Sequence, residues 1–473
     1  MFSFHSILLF KRLTMYNLFR CFLIGYSLIL FSCNNNSVVQ STSSNDTGVI
    51  DGHPAWIEQG NIYEVNTRQY TPEGNFKAFE KHLDRLKNMG VQTLWFMPIQ
   101  PIGKEGRKGA LGSYYAISDY RSVNPEFGSM QDWKELVNKI HSLGMKVIID
   151  WVPNHTAPDH PWVKNHPEFY IRDSITGVPI HQPGTDWTDT RKLDYRNEQL
   201  ADSMIAVMKF WIVETGIDGY RCDHAQGQGK DFWKRCNTEL KALNKNVLML
   251  AEAEDNWLYD SGFDMSYAWK FFHKTVDIAA GRRPAFSLDS VLHEQDSLFK
   301  SNALFLYFTS NHDENSWNKA DYGTMPGASH APFAVLSQTM KQSVPLIYSG
   351  QEVPVLDSIS FFYKDTIDFA RLERANFYKT LLNLRKDIPA LAANASFKKL
   401  ATNNDSALYA FEREKNGSKV LVVVNLSKKP QQLTWKDKPS EKEWTNVFAG
   451  NKEPVDKGFG IEPWGYAVYE RKK

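Results

Sequence analysis

The sequence has almost no excess of charge of either sign, since 55 lysine and arginine residues stand against 54 aspartate and glutamate residues among 473. It also lacks any block of basic residues of the kind that follows a phosphate backbone. These absences give no electrostatic case for nucleic acid as a partner and favour a neutral, polar substrate. The composition, 42% apolar and 13% aromatic, is that of folded domains with a large core.

Cysteine is scarce, with four residues in the whole chain. Cys21 and Cys33 belong to the N-terminal region, so Cys222 and Cys236 are the two that we expect in the folded part, and a disulfide framework is excluded. We expect both to be buried thiols, with Cys222 facing outward from its strand; a bridge between them is the alternative.

The N-terminus has the pattern of a secretory signal. Three basic residues precede the apolar run 21–31, which is too short for a transmembrane span, and we predict a signal peptide over residues 1–32. Leu30-Phe-Ser-Cys33 resembles a bacterial lipobox, which implies lipidation of Cys33 and a tether over residues 33–54. We therefore expect export across the inner membrane and a lipid anchor in the cell envelope, facing the periplasm in preference to the cell surface. A cleaved signal or a plain membrane anchor is the alternative.

Strand-like and helix-like runs alternate through the middle of the chain, which predicts an α/β fold. The eight strand-like runs are 62–65, 91–97, 145–150, 217–222, 247–251, 263–267, 304–309 and 344–348. A doubly wound sheet also alternates in this way, but no glycine-rich phosphate loop follows the first strand. We therefore predict a (β/α)8 TIM barrel over residues 55–391.

Two stretches depart from this alternation. Residues 151–196, rich in proline, histidine, tryptophan and aspartate, have no helical period and predict a long insertion after the third strand. From residue 392 the pattern changes to short alternating runs with turn residues between them, which predicts a C-terminal β-sandwich over residues 392–473.

Three acidic residues, Asp223, Glu252 and Asp313, each follow the end of an apolar strand-like run. A buried carboxylate is costly unless it is paired or takes part in chemistry. The carboxyl ends of all strands in a parallel barrel open onto one mouth, so we expect the three acids to share an active site.

Four ordered motifs resemble the signatures of the α-amylase family of retaining glycoside hydrolases. They are Asp150-Trp-Val-Pro-Asn-His155, Gly219-Tyr-Arg-Cys-Asp223, Leu248-Met-Leu-Ala-Glu252 and Ser310-Asn-His-Asp313. The resemblance spans residues 56–389 and implies a barrel, a B domain inserted after the third strand and a C-terminal β-domain.

The resemblance also implies roles for these residues. Asp223 would be the nucleophile, Glu252 the general acid and base, and Asp313 the acid that binds sugar hydroxyls and stabilises positive charge. Arg221 would keep the nucleophile ionised, while His155, His312 and Tyr115 would contact the sugar beside the cleaved bond, with Tyr114 as the competitor of Tyr115. Further candidates for sugar-stacking platforms are Trp151, Trp187, Trp257 and Trp317.

A structural Ca²⁺ between barrel and insertion is also implied, with Asn154 and Asp194 as ligands. The chain departs from the family at Gln226 and Gly227, where a Lys-His pair is often found. This departure puts calcium dependence in doubt, and it leaves the choice between water and a second sugar as acceptor open. No organic cofactor is expected.

Three functions remain. The first is hydrolysis of α-1,4-linked glucans such as starch or maltodextrin. The second is glucan transfer, or action on α-1,6 or trehalose-type linkages. The third is a catalytically silent, glycan-binding lipoprotein, which would be marked by a lost catalytic acid.

Overall fold

The computed structural model describes residues 48–355 and 357–472. The predicted signal peptide and the candidate lipidation site Cys33 lie outside the described residues. Within the described part of the chain, no helix combines the length and apolar character needed to span a bilayer.

Eight parallel strands form a closed barrel and follow one another around it in chain order. They are β1 Ile62–Val65, β2 Thr93–Phe96, β3 Lys146–Trp151, β4 Gly219–Cys222, β5 Leu248–Ala251, β6 Met265–Tyr267, β7 Leu304–Tyr307 and β8 Ser343–Tyr348. Strand β8 pairs with β1 and closes the ring. The predicted fold class is confirmed, and each predicted strand-like run contains or overlaps one barrel strand.

Helices cover the outside of the barrel and shape its mouth, and some of them begin at a capping side chain. Ser129 and Asp132 form a capping box at one of them, and Asn197 accepts hydrogen bonds from Gln199 and Leu200 at another. The α-helices of the described chain are Thr67–Tyr70, Phe76–Glu80, Leu83–Met89, Met130–Ser142, Pro161–Asn165, Glu198–Thr215, Lys230–Leu243, Trp257–Asp260, Trp269–Ala279, Ser287–Leu298, His312–Asn318, His330–Thr339 and Ala375–Asp387.

Strand residues alternate between the bore of the barrel and the helix layer, as the two-residue period requires. In β3, Ile148 packs in the bore, whereas Val147 and Ile149 pack against the helices. Towards the carboxyl ends the bore positions become polar, and buried Glu64, Asp150 and Arg221 occupy them. The apolar interior therefore ends in a charged layer at the mouth.

Cys222 belongs to the outer cluster of the same strands, as predicted. Cys222 and Cys236 are both buried free thiols, so the alternative of a bridge is not realised. The Cys236 thiol lies 3.5 Å from the sulfur of Met208.

A long excursion separates β3 from the helix Glu198–Thr215. It contains a short antiparallel pair, His155–Thr156 with Arg191–Lys192, in which His155 lies opposite Lys192. Between these two strands lie the helix Pro161–Asn165 and the 3₁₀ turn Pro167–Phe169. The pairing brings the far end of the excursion back to the carboxyl end of β3.

The C-terminal part is a six-stranded antiparallel sheet with strand order β9-β10-β11-β14-β12-β13. Its strands are β9 Ser396–Leu400, β10 Leu408–Lys415, β11 Ser418–Asn425, β12 Glu443–Asn446, β13 Lys452–Pro454 and β14 Tyr466–Arg471. A two-stranded sheet, Gln431–Gln432 with Gly460–Ile461, accompanies it. Fully buried Arg413 fastens this domain to the barrel by donating to the carbonyls of Thr339 and Met340.

Candidate active site

Arg221 lies at the centre of the charged layer, with its guanidinium fully buried. One terminal nitrogen donates to Asp150 Oδ1 at 2.9 Å and to Asp223 Oδ1 at 3.0 Å. The other terminal nitrogen forms an ion pair with Glu252 Oε1 at 2.8 Å. A single arginine thus holds three carboxylates, and it brings together two of the predicted acids, Asp223 and Glu252.

Backbone hydrogen bonds extend the parallel pairing past the strand ends and place these acids. The amide of Asp223 donates to the carbonyl of Trp151, and the amide of Glu252 donates to the carbonyl of Cys222. Glu252 Oε2 also accepts a hydrogen bond from the amide of His224 at 2.8 Å. Both carboxylates are therefore held from two directions.

Burial and the neighbouring charge of Glu252 raise the pKa of Asp223, while Arg221 opposes the rise. Burial raises the pKa of Asp150 to about 6, against the charge of Arg221. Crowded carboxylates around one cation take up a proton more readily than isolated ones. The cluster can therefore keep one carboxyl protonated while another is ionised, as acid catalysis with a carboxylate nucleophile requires.

Asp313 lies in the first turn of the helix His312–Asn318, which Asn311 caps by accepting from the amide of Glu314. Burial alone would raise the pKa of Asp313, but the charges of His312 and Arg221 hold it below its usual value. This third acid is thus an anion at neutral pH beside the other two.

His312 connects Asp313 to a buried carboxylate in the bore. Its Nδ1 lies 2.5 Å from Glu64 Oε1, and its Nε2 lies 2.7 Å from the hydroxyl of Tyr115 and 3.2 Å from Asp313 Oδ2. The Tyr115 hydroxyl donates to Asp150 at 3.0 Å, so it accepts from His312. Both ring nitrogens are then donors. Burial lowers the pKa of His312, but the charges of Asp313 and Glu64 outweigh it and raise this pKa well above its ordinary value.

We expect Glu64→Gln to move the alkaline limb of the kcat/KM profile to lower pH. Glutamine can still accept the Nδ1 proton, but it removes a charge that favours the imidazolium, so the pKa of His312 falls and its cation is lost earlier as pH rises. An adjacent charge commonly shifts a pKa by about 1–3 units. The measurement is kcat/KM from pH 5 to 9.

Glu352→Gln is the matched control, because Glu352 is an equally buried carboxylate that pairs with Arg85 and Tyr63 instead. It is expected to lower stability and leave the alkaline limb in place. If the alkaline limb of Glu64→Gln lay at the same pH as that of Glu352→Gln, Glu64 would not set the charge of His312.

His155 also reaches the site, by way of its neighbour Asn154. His155 Nδ1 lies 3.1 Å from the side-chain nitrogen of Asn154, and its Nε2 has no partner among the described residues. Burial and the charge of Lys192 lower the pKa of His155 to about 3, so the ring is neutral. With Nδ1 as acceptor, Nε2–H is a donor that is free for a ligand.

These residues open onto a cleft of about 590 Å³. Tyr115, His155, Asp223 and Asp313 line its floor, and aromatic side chains line its walls, namely Trp187 from the insertion and Trp317, Phe361 and Phe362 from the loops after β7 and β8. An aromatic cleft with acids at its base suits a sugar, which has apolar faces and polar edges.

The structure separates the aromatic candidates. Tyr115 lies in the cleft, whereas Tyr114 is buried, donates to Asn66 and packs under Arg68. Trp187 and Trp317 line the cleft, as a platform would. Trp151 is fully buried in the outer core, so its interpretation as a platform is wrong; Trp257 is not among the residues that line the cleft.

Several residues of the site were not assigned a role from the sequence. Asp150 opens the first of the four motifs, and Glu64 lies in the first strand-like run. Because side chains alternate along a strand, the bore positions of Ile148 and Ile62 place Asp150 and Glu64 in the bore as well, and this alternation is a signal that could have found them. Phe361 and Phe362 come from a loop without periodicity, where no sequence signal indicates them.

The donors do not fit the Ca²⁺ site that the resemblance implies. Asn154 Oδ1 accepts a hydrogen bond from the Lys192 ammonium, and the carboxylate of Asp194 is bound by Arg196 at 2.6 and 2.8 Å. In the described part of the chain, no group of three or more histidine, cysteine, aspartate or glutamate side chains could hold a metal ion. Burial lowers the pKa of Lys192 to about 8, so it carries its charge at neutral pH.

Comparison with known proteins places these features in one family. The family described as Alpha amylase, catalytic domain, matches residues 37–191 and 185–417. The Alpha-amylase SusG C-terminal domain matches residues 408–457.

Three curated relatives and two solved structures resemble the chain. Alpha-amylase 2 of Dictyoglomus thermophilum is 25% identical over 80% of this chain and 71% of its own. A cyclomaltodextrinase of Bacillus sp. is 24% identical over 79% and 74%. An alpha-1,4-glucan:maltose-1-phosphate maltosyltransferase of Picrophilus torridus is 26% identical over 79% and 61%.

Among solved structures, an alpha-amylase from Lactobacillus plantarum has a TM-score of 0.79 and 29% identity over 88% of this chain and 100% of its own. A maltogenic alpha-amylase from Thermotoga neapolitana has a TM-score of 0.80 and 26% identity over the same shares. Since the catalytic-domain family matches well over half of the sequence and the barrel carries the expected acids at its mouth, the chain belongs to the alpha-amylase family of glycoside hydrolases and transferases.

Proposed function

We propose that the protein is a retaining glycoside hydrolase that cleaves α-1,4-glucosidic bonds in starch or maltodextrin by double displacement. The observation that carries this proposal is the binding of Asp223 and Glu252 to the two terminal nitrogens of Arg221. Retaining glycosidases need two carboxyl groups about 5–5.5 Å apart, with no room for a water between nucleophile and sugar. Two acids bound by the two ends of one guanidinium are kept close together, as such a pair requires.

In the first step Asp223 attacks the anomeric carbon and forms a glycosyl ester, while Glu252 gives its proton to the leaving glycosidic oxygen. In the second step Glu252 takes a proton from water, and the water oxygen displaces Asp223 from the anomeric carbon. Two displacements restore the starting α-configuration. Glu252 ends the cycle protonated and Asp223 ends it ionised.

The other residues act on the sugar and on charge. Asp313 lines the cleft, and the His312 imidazolium lies 3.2 Å behind it, so that Asp313 can bind sugar hydroxyls and stabilise the oxocarbenium-like transition state while His312 holds it in place. Tyr115 offers an aromatic face on which the sugar ring can stack, and the free Nε2–H of His155 can donate to a sugar hydroxyl. Arg221 opposes the rise in the pKa of Asp223 that burial and Glu252 cause, and so favours the carboxylate form that attacks the sugar.

Transfer to a second sugar is the second candidate. A maltosyltransferase is among the relatives, and Gln226 and Gly227 stand where the family often has a Lys-His pair that faces the sugar beyond the cleavage point. Hydrolysis is preferred because relatives named alpha-amylase and cyclomaltodextrinase align over a larger share of their own length. A silent glycan-binding protein is disfavoured because all three acids are present and paired.

Product chromatography tests the proposal, using the purified full-length chain with maltoheptaose, pullulan and isomalto-oligosaccharides. Shorter maltodextrins from maltoheptaose are expected, with isomalto-oligosaccharides left intact. Products longer than maltoheptaose would establish transfer instead. Cleavage of isomalto-oligosaccharides alone would establish α-1,6 specificity, and binding without any product would establish a capture protein.

We also propose that Cys33 anchors the protein to the cell envelope through a lipid. Cys33→Ser is expected to move the protein from the membrane fraction to the soluble fraction after cell disruption, because serine has no sulfur through which a thioether-linked lipid could be attached. Immunoblots of both fractions measure this. Full retention of the variant in the membrane would support an uncleaved apolar anchor over residues 21–31.

A further inference from the structure

We propose that the Lys192 ammonium takes the place of a structural Ca²⁺ ion, fastening the inserted segment to the barrel and making the protein independent of calcium. This inference concerns the stability of the fold and stands apart from the proposed reaction. It rests on the contacts of Lys192, on the space left by Gly227 and on the pairing of Asp194.

The ammonium bridges two segments that are distant in sequence. Asn154, fully buried just after β3, accepts a hydrogen bond from Lys192 Nζ on the far strand of the insertion. The backbones join at the same point, because the amide of Leu193 donates to the carbonyl of Asn154 at 3.1 Å. The ammonium here donates to the buried side-chain oxygen of Asn154, the residue that the resemblance assigns to calcium.

The contact between Lys192 and Asn154 also affects the substrate cleft, through one further hydrogen bond. Asn154 uses its oxygen for Lys192 and directs its side-chain nitrogen to His155 Nδ1 at 3.1 Å. This fixes the orientation of the amide, which in turn leaves Nε2 of His155 as a free donor on the cleft floor. Lys192 is thus a positioning residue for His155 as well as a structural one.

Gly227 provides the room for this arrangement. A Cβ atom at this position would lie 2.7 Å from Asn154 Oδ1 and 3.3 Å from Lys192 Nζ. Any side chain would therefore press on the oxygen and the ammonium together. A glycine at position 227 thus leaves the space that the contact between Asn154 and Lys192 requires.

The remaining donors argue against a metal at the same place. Calcium takes about 6–8 oxygen ligands. The carboxylate of Asp194 is already bound through both oxygens by Arg196, and it contributes its charge to Lys192 at a distance. A Ca²⁺ ion would have to displace the ammonium from Asn154 and the guanidinium from Asp194.

The first test is the apparent melting midpoint of the full-length chain, measured with 5 mM EDTA and with 1 mM CaCl₂. We expect the two midpoints to agree within experimental error, whatever reaction the protein catalyses. A midpoint that EDTA lowers by several degrees and calcium restores would overturn the proposal.

The second test is Lys192→Met, which keeps the length and apolar stem of the side chain but removes the charge. We expect the midpoint to fall by about 2–5 °C, since a buried acceptor loses its partner. Limited proteolysis within residues 152–197 should become faster, and KM for maltodextrin should rise more than kcat falls, as His155 loses its fixed orientation.

Lys164→Met is the matched control, an exposed lysine on the short helix Pro161–Asn165 of the same insertion. It is expected to change none of these readouts. Gly227→Ala, which adds the crowding Cβ and leaves Lys192 intact, should reproduce the fall in the midpoint. If Lys192→Met and Gly227→Ala both behaved like Lys164→Met, the proposed role of Lys192 in joining the insertion to the barrel would be refuted.

Discussion

Asp223→Asn is expected to lower turnover of maltodextrin by about four to six orders of magnitude, which is the range for loss of a residue that attacks the substrate. The amide cannot form the glycosyl ester, and the cluster offers no second carboxylate in the same position. Asp150 lies below the mouth with both its oxygens bound, one by Arg221 and one by Tyr115. The measurement is kcat on maltoheptaose.

The same variant should unfold within about 2 °C of the unaltered protein. Asparagine loses the ion pair with Arg221, but it also relieves repulsion from Glu252 and Asp150, and Arg221 keeps these two partners. Asp84→Asn, on an exposed face of the helix Leu83–Met89, is the control and should retain full turnover. Turnover of Asp223→Asn within about tenfold of the control would remove Asp223 from the role of nucleophile.

Glu252→Gln is expected to slow the first step by very different factors on substrates with different leaving groups. On maltoheptaose, whose leaving alcohol needs a proton, the first step should slow by about three to four orders of magnitude. On a nitrophenyl maltoside, whose phenolate departs without protonation, the first step should be nearly unchanged. Its second step should be slow, because no base activates water, so a burst of nitrophenol precedes a low steady rate.

Azide gives this prediction a second readout. Azide is already an anion and can attack the glycosyl ester without a base, so added azide should restore steady turnover of the nitrophenyl substrate. Asp223→Asn is the comparison, since it forms no ester and should show neither burst nor rescue. Equal losses on both substrates without rescue would assign the proton transfer to another residue.

The architecture could be predicted from the sequence because local patterns indicate the strands and helices of the barrel. Eight apolar runs alternate with helical segments, and each of the predicted acids follows a strand, so the order of elements and the common mouth could both be inferred before any coordinates. Boundaries were predicted less well: the run 91–97 forms a strand only over Thr93–Phe96, and the run 217–222 only over Gly219–Cys222.

The contacts of the site depend on pairing between distant segments, which no local pattern states. Lys192 meets Asn154 only because His155–Thr156 pairs with Arg191–Lys192 across the insertion. The role of Glu64 likewise depends on the approach of His312 from β7's loop, 248 residues away. Composition and period cannot reveal such contacts, although both residues stand beside motifs that the sequence does show.

The central claim is that two displacements, by Asp223 and then by water, preserve the anomeric configuration. Proton NMR of the anomeric region during the first minutes of maltoheptaose cleavage tests it most directly, before mutarotation mixes the two forms. The expected result is new reducing ends that appear as the α-anomer and then relax towards the equilibrium mixture. First appearance of the β-anomer would mean a single displacement by water, which would contradict the assignment of Asp223 as a covalent nucleophile.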